Sequence, residues 1–226
     1  MRTNIKMRLF QVLVVAVALA AFDLGLRAED AASAAGDKGL LTMEERAKAV
    51  KMLNESEART IALLTGLTDE QLRFKPATNK WSVIEVAEHI MLSENRIFGA
   101  VQKAVSTDPN PDWEAKTKGK TAFLETALLD RSHKVQAPEE LVPTGKLSRE
   151  EIIARFKEAR AQTLKFAEET QLPLKTYTMD HPAPVIGTLN AYQWLLLVPL
   201  HNARHNLQIE EVMADPNFPK SRQKAD

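Results

Sequence analysis

Trp81-Ser82-Val83-Ile84-Glu85-Val86-Ala87-Glu88-His89-Ile90 is the stretch from which the fold class follows. Ser82 and Glu85 stand three apart at the head of an apolar run, the spacing of a capping box. The serine oxygen takes a free backbone N–H, and the glutamate reaches back to the cap. Trp81 precedes the cap and Val86 is the fourth helical position, so the two can form a hydrophobic staple. Val83, Val86, Ile90, Ile97 and Val101 carry one apolar face to about Ser106, and Asp108-Pro109-Asn110-Pro111 ends it. The same grammar recurs on both sides. Thr42 and Glu45 open a first helix whose stripe is Ala49, Leu53, Ile61 and Leu64, stopping near Gly66. Ser148 and Glu151 open a third, with Ile152, Phe156, Ala159, Thr163 and Phe166 inward, ending before Pro173. Gly187-Thr188 opens a fourth, with Thr188 as cap. Leu189, Tyr192, Leu196, Leu200, Leu207 and Val212 face inward, and Pro199 predicts a kink where it frees the Leu195 carbonyl.

The expected fold is therefore all-α, a four-helix bundle over residues 42–215. A long crossover of about residues 107–147 joins helices 2 and 3, with an apolar piece at Phe123 to Leu129 that suits a short helix. Composition agrees. The chain has 226 residues, 44% apolar and 27% charged, with only eight glycines, enough to build one core without staples. Thirty basic residues balance thirty acidic ones, so nothing in the charge predicts nucleic acid as a partner. The absence of cysteine excludes disulfides, thiolate metal sites and cysteine nucleophiles.

The start of the chain reads as a leader. Arg2, Lys6 and Arg8 precede an almost wholly apolar run, Leu9 to Phe22, and Ala18-Leu19-Ala20 offers small residues where a signal peptidase cuts. The run is about 14 residues, short of the roughly 20 that span a bilayer. Residues 1–28 are thus expected to be a signal peptide and lead-in, cut after Ala20 or near Ala28. Residues 29–41 follow as a flexible linker, and 216–226 as a C-terminal tail. The expectation is an exported domain, periplasmic or secreted. The alternative is a domain held at the membrane by an uncleaved leader.

Three of the five histidines carry chemistry by position. His201 and His205 are four apart, so both rings leave one face of the fourth helix, one turn apart, where they can share a metal ion. That face also holds Trp194, Val198, Gln208 and Val212, which are mostly inward-facing types. His89 lies on the second helix on the face of Val86, Leu92 and Ser93. Three imidazoles from two helices would make a neutral site with a coordination position to spare. The spacing by itself is weak, since with five histidines such a pair arises by chance about one time in ten, and inward histidines are often hydrogen-bonded core residues. His181, before Pro182, reads as an ordinary loop residue or one flanking a site mouth. His133 lies in the crossover without a partner by spacing. Glu85 is accounted for by its cap, with a role as a base for metal-activated water as the alternative. Arg204 and Glu210 are expected to face solvent or a neighbouring helix. No GxSxG, HExxH, GxGxxG or phosphate loop is present.

Residues 81–90 resemble the second-helix motif of the DinB-like (YfiT-like) metal-binding superfamily. His201-Asn202-Ala203-Arg204-His205-Asn206-Leu207-Gln208-Ile209 is similar to its fourth-helix motif, and His181-Pro182 with Gly187-Thr188 to the segment leading into it. The resemblance covers about residues 42–214. It implies an up-down-down-up bundle and one divalent metal ion, commonly zinc or nickel, with His89, His201 and His205 as ligands. It also implies a tendency to form homodimers. Where activity is known, such proteins include thiol-dependent S-transferases and isomerases that use bacillithiol or mycothiol. Those thiols are cytosolic, which sets thiol transfer against the export signal. The expected function is that of an exported metal-dependent hydrolase or transferase acting on a small molecule. The alternative is a bundle that binds metal or a small ligand without turnover.

Overall fold

The computed structural model describes residues 39–132 and 135–220. The leader and most of the linker, His133, and residues 221–226 lie outside the described residues. The chain divides into two units, Met1–Gly39 and Leu40–Asp226, and the described helices and strands belong to the second. In chain order it comprises α1 (Met43–Thr65), α2 (Asp69–Arg73), α3 (Val83–Val105), α4 (Trp113–Thr117), α5 (Lys120–Leu129), a 3₁₀ turn (Glu139–Leu141), α6 (Arg149–Glu169), β1 (Thr178–Asp180), β2 (Thr188–Asn190) and α7 (Ala191–Met213). No described helix is long and apolar enough to cross a membrane.

The long helices begin where the local chemistry requires. Capping boxes at Thr42/Glu45, Ser82/Glu85 and Ser148/Glu151 form as expected, and Thr68/Gln71 adds another at α2. The fourth long helix departs from expectation. Its cap is Asn190, not Thr188: the Asn190 side chain accepts from Gln193 N–H, and Gln193 reaches back to the Asn190 N–H. Thr188 is drawn elsewhere because β1 and β2 pair antiparallel, Thr178 opposite Asn190 and Asp180 opposite Thr188, which keeps 188–190 extended. The Thr188 hydroxyl donates to Asp180 Oδ1 at 2.6 Å. Pro199 is buried and does not interrupt α7. Leu207, expected inward, is 38% exposed. The segment expected to be a C-terminal tail is docked through residue 219: Phe218 meets Phe74 edge-on at 5.5 Å, and the Pro219 carbonyl accepts from Gln71 Nε2.

The interior is layered. One apolar cluster contains Leu53 of α1, Phe98 and Val101 of α3, Ala167 of α6 and Leu195, Leu196 and Leu200 of α7. The other contains Leu63 and Leu64 of α1, Val86 and Ile90 of α3, Ile152 and Phe156 of α6, and Ile209 and Val212 of α7. The order of these residues gives the topology. Helices α1 and α7 run from the first cluster to the second, whereas α3 and α6 run from the second to the first. The bundle is therefore up-down-down-up. Helix α7 packs on α1 and α3, and α6 packs on the same two from the other side.

Between the clusters each helix contributes buried polar residues. Arg160, fully buried, forms a bidentate pair with Glu94, both contacts 2.8 Å. It also donates to the Leu53 carbonyl, to Ser56 Oγ at 2.9 Å and to Asn202 Oδ1 at 3.1 Å. Thr163 donates to Glu94, Asn202 to Thr60, and Asn206 to the Ser56 carbonyl. A charge buried this deeply is tolerable only because all five of its N–H donors are engaged.

The crossover lies along α7. Gly119, in the left-handed region at φ 76°, turns the chain between α4 and α5. Arg204 of α7 then donates to the carbonyls of Leu128 and Asp130 at the end of α5, where orphan acceptors need partners. Glu210 pairs with Arg59 of α1, so both residues face neighbouring elements.

Two substitutions separate the buried pair from the caps in their effect on stability. Replacing Glu94 by alanine strands the Arg160 guanidinium and should cost about 3–5 kcal/mol, read as a fall in the urea midpoint. Ser148→Ala removes only a cap and should cost about 1 kcal/mol in the same assay.

Candidate metal centre

Three imidazoles converge where α3 passes α7. Helix α3 contributes His89 two turns after its cap, and α7 contributes His201 and His205 from successive turns. The ring centroids of His89 lie 5.3 Å from His201 and 4.5 Å from His205, and the last two are 4.4 Å apart. One nitrogen from each ring falls within 4.8 Å of the others. Separations of this order are those that one divalent ion could bridge at a Zn–N distance of about 2.0–2.1 Å. This is the only such group of His, Asp or Glu side chains among the described residues.

Hydrogen bonds settle which nitrogens are available. His89 Nδ1 lies 2.8 Å from the Leu141 carbonyl, which only accepts, so Nδ1 carries the proton and Nε2 keeps its lone pair. Ser93 Oγ, 3.4 Å away, lies against that Nε2. His205 Nδ1 is 2.7 Å from Gln208 Oε1, which fixes the same tautomer. Gln208, expected on the inward face, is thus a partner of a site ring. Both arrangements are those by which outer partners orient metal-binding imidazoles. The Trp81 ring stands 4.9 Å from His89, tilted, and shields one face.

The surroundings keep the rings neutral. Burial pushes the pKa of His205 down to about 3, with His89, Arg131 and Arg204 adding to the effect and the Gln208 bond opposing it. Burial also holds His201 well below the ordinary range, assisted by His205, His89 and Arg204. His89 is lowered by burial against the opposing pull of the Leu141 carbonyl. Neutral imidazole is the form that binds a metal ion. His89 and His205 are buried and His201 is partly exposed, so the centre has one open side.

The other candidates fall outside this group. His181 stacks on Trp194 at 5.1 Å, and its Nδ1 accepts from the Ala183 N–H. Glu85 is consumed by its cap and by Lys75, whose Nζ donates to it at 2.7 Å. Two features are absent from the sequence reading. Arg160 and Glu94 are charges at stripe spacing on two amphipathic helices, a legible sign of a buried pair. Glu88, 3% exposed, accepts from the backbone of Thr144 and Gly145, and no local pattern announces partners more than fifty residues away.

Comparison with known proteins bears on the fold and the family. The chain is 27% identical over 168 residues to the Bacillus subtilis protein YuaE, described as uncharacterized, spanning 72% of this chain and 96% of that one. Its fold is similar to that of YfiT from Bacillus subtilis, whose solved structure is described as that of a probable metal-dependent hydrolase with an unusual four-helix bundle topology. The TM-score is 0.50 at 17% identity, covering 76% of this chain and 88% of YfiT. A family model described as the DinB superfamily matches residues 52–209, a span that includes all three converging histidines, and the chain belongs to that superfamily.

Proposed function

We propose that this protein is a metal-dependent hydrolase in which His89, His201 and His205 hold one divalent ion. The observation that carries the reading is the convergence of three neutral imidazole nitrogens within 4.8 Å on a partly exposed side of the bundle. The donor set fits: three imidazoles suit zinc or nickel and leave a coordination position free. The description of YfiT as a hydrolase supports the same class. When bound, the ion supplies Lewis acidity, polarising a substrate oxygen or lowering the pKa of water.

The chain's own residues prepare the site for that chemistry. His89 and His205 each give their Nδ1 proton to a fixed acceptor, so neither ring must reorganise its tautomer to bind. Three neutral ligands leave the full charge of the ion available to the substrate. Trp81 excludes water from the His89 side, and the partly exposed His201 edge is the side from which a small molecule approaches. The basic and apolar start of the chain supports export, where hydrolysis is a more natural chemistry than transfer to a cytosolic thiol. The family resemblance supports a homodimer.

A second reading, a bundle that holds metal or a small ligand without turnover, draws on a specific observation. Glu85 and Glu88, the carboxylates nearest His89 in sequence, spend their oxygens on the Ser82 cap, Lys75 and the 144–145 turn, so neither is poised as a general base.

Elemental analysis of untagged protein should find one equivalent of zinc or nickel, lost in His89→Ala and in His201→Ala. Hydrolysis of a panel of small esters and amides should vanish on chelation and return with added metal. Turnover that survives verified metal removal would rule out the hydrolase. In thermal melts, metal at a hundred times its Kd should stabilise the wild type by about 2.7 kcal/mol and leave His201→Ala unmoved.

A further inference from the structure

Residues 88 and 89 are neighbours on α3, and both grip the crossover. His89 Nδ1 donates to the Leu141 carbonyl at 2.8 Å. Glu88, buried to 3% exposure, accepts at Oε1 from the Thr144 N–H at 3.0 Å and the Thr144 hydroxyl at 2.8 Å. Its Oε2 accepts from the Gly145 N–H at 2.7 Å. The two attachments are three to four residues apart in a segment whose middle, Pro143, is buried. Gly145 has φ +67°, and a Cβ there would lie 3.3 Å from Glu85 Oε1 and 3.4 Å from Glu85 Cγ, so the turn lies flush against α3. Arg73 donates to the Gly145 carbonyl at 3.0 Å and holds it from the other side.

A single carbonyl on a crossover of some forty residues has little to hold it in register with a ring. An ion pair beside that carbonyl, Arg96 with Glu140 at 3.4 Å, is largely exposed and weak. The buried carboxylate is different. Three short bonds satisfy it, and breaking any of them leaves a desolvated charge under-coordinated. The Thr144–Gly145 turn is therefore the fixed point, and the Leu141 carbonyl is carried by it.

We propose that Glu88 is a positioning residue for the metal centre: by gripping the Thr144–Gly145 turn it holds the Leu141 carbonyl on His89 Nδ1 and so presents His89 Nε2 as the ligand atom. This rests on the reading of the three histidines as a metal site. It assigns the crossover a part in that site through the backbone carbonyl of Leu141.

The test uses the purified protein with ¹⁵N-labelled histidine, first stripped of metal and then titrated with Co²⁺. In metal-free wild type, long-range ¹H–¹⁵N correlation should show His89 as the Nδ1–H tautomer. Glu88→Gln keeps the size but places an amide N–H₂ group against one of the three donors. Gly145→Ala leaves Glu88 intact and strains the turn, because an alanine is disfavoured at φ +67° and its Cβ would press on Glu85. In either variant, once circular dichroism shows the helices intact, His89 should become a mixture of tautomers while His205 is unchanged. The affinity for Co²⁺ should fall about 10–100-fold. If Glu88→Gln does not fold, Gly145→Ala carries the test. Folded variants with an unchanged His89 tautomer and unchanged Co²⁺ affinity would overturn the role of Glu88 alone. Wild type that takes up no Co²⁺ would overturn the metal site itself.

Discussion

The bundle is organised around the Arg160–Glu94 pair. A guanidinium and a carboxylate, both essentially free of solvent, meet at the centre of four helices, and their remaining bonds reach the Leu53 carbonyl and Ser56 hydroxyl of α1, Thr163 of α6 and the Asn202 amide of α7. Apolar layers above and below would tolerate small slips of one helix past another. A buried ion pair does not, because one turn of displacement leaves a charge without a partner. The pair thus sets the relative height of the helices, and the height of His201 and His205 follows from it, since each is adjacent in sequence to an asparagine of the same belt.

The period of α7 explains how one stretch serves both belt and site. Successive residues on a helix are about 100° apart, so Asn202 and Asn206 face α1 and α6 while His201 and His205 face α3. Two polar pairs at the same spacing, offset by one residue, divide the interior surface of the helix between structure and chemistry. The desolvation that keeps the imidazoles neutral therefore comes from the same packing that satisfies the asparagines.

The crossover completes the site from outside the bundle. Its α5 lies on α7, tied down by Arg204, and its 3₁₀ turn lies on α3, where Leu141 meets His89 and the following Thr144–Gly145 turn is held by Glu88. Both α3 and α7 are thus flanked by crossover backbone close to their histidines. A connection of this length is more than a tether, since its Leu141 carbonyl orients one ring and its helix packs on α7.

Much of this is legible in the residues. Three capping boxes mark the starts of α1, α3 and α6 to the residue, because capping is a local competition among a few neighbouring groups. The inward stripes, the all-α class and the shared face of His201 and His205 follow from periodicity alone. The start of α7 is not legible in the same way, because Thr188 and Asn190 are both good caps. Pairing with β1, ten residues away, decides between them. The convergence of His89 on the α7 pair, the tautomer of His89 and the Glu88 grip all depend on contacts between segments more than fifty residues apart. A chain carries its periodicities in its own order, but distance in space, and with it desolvation and hydrogen-bond partnership, exists only once the helices have packed.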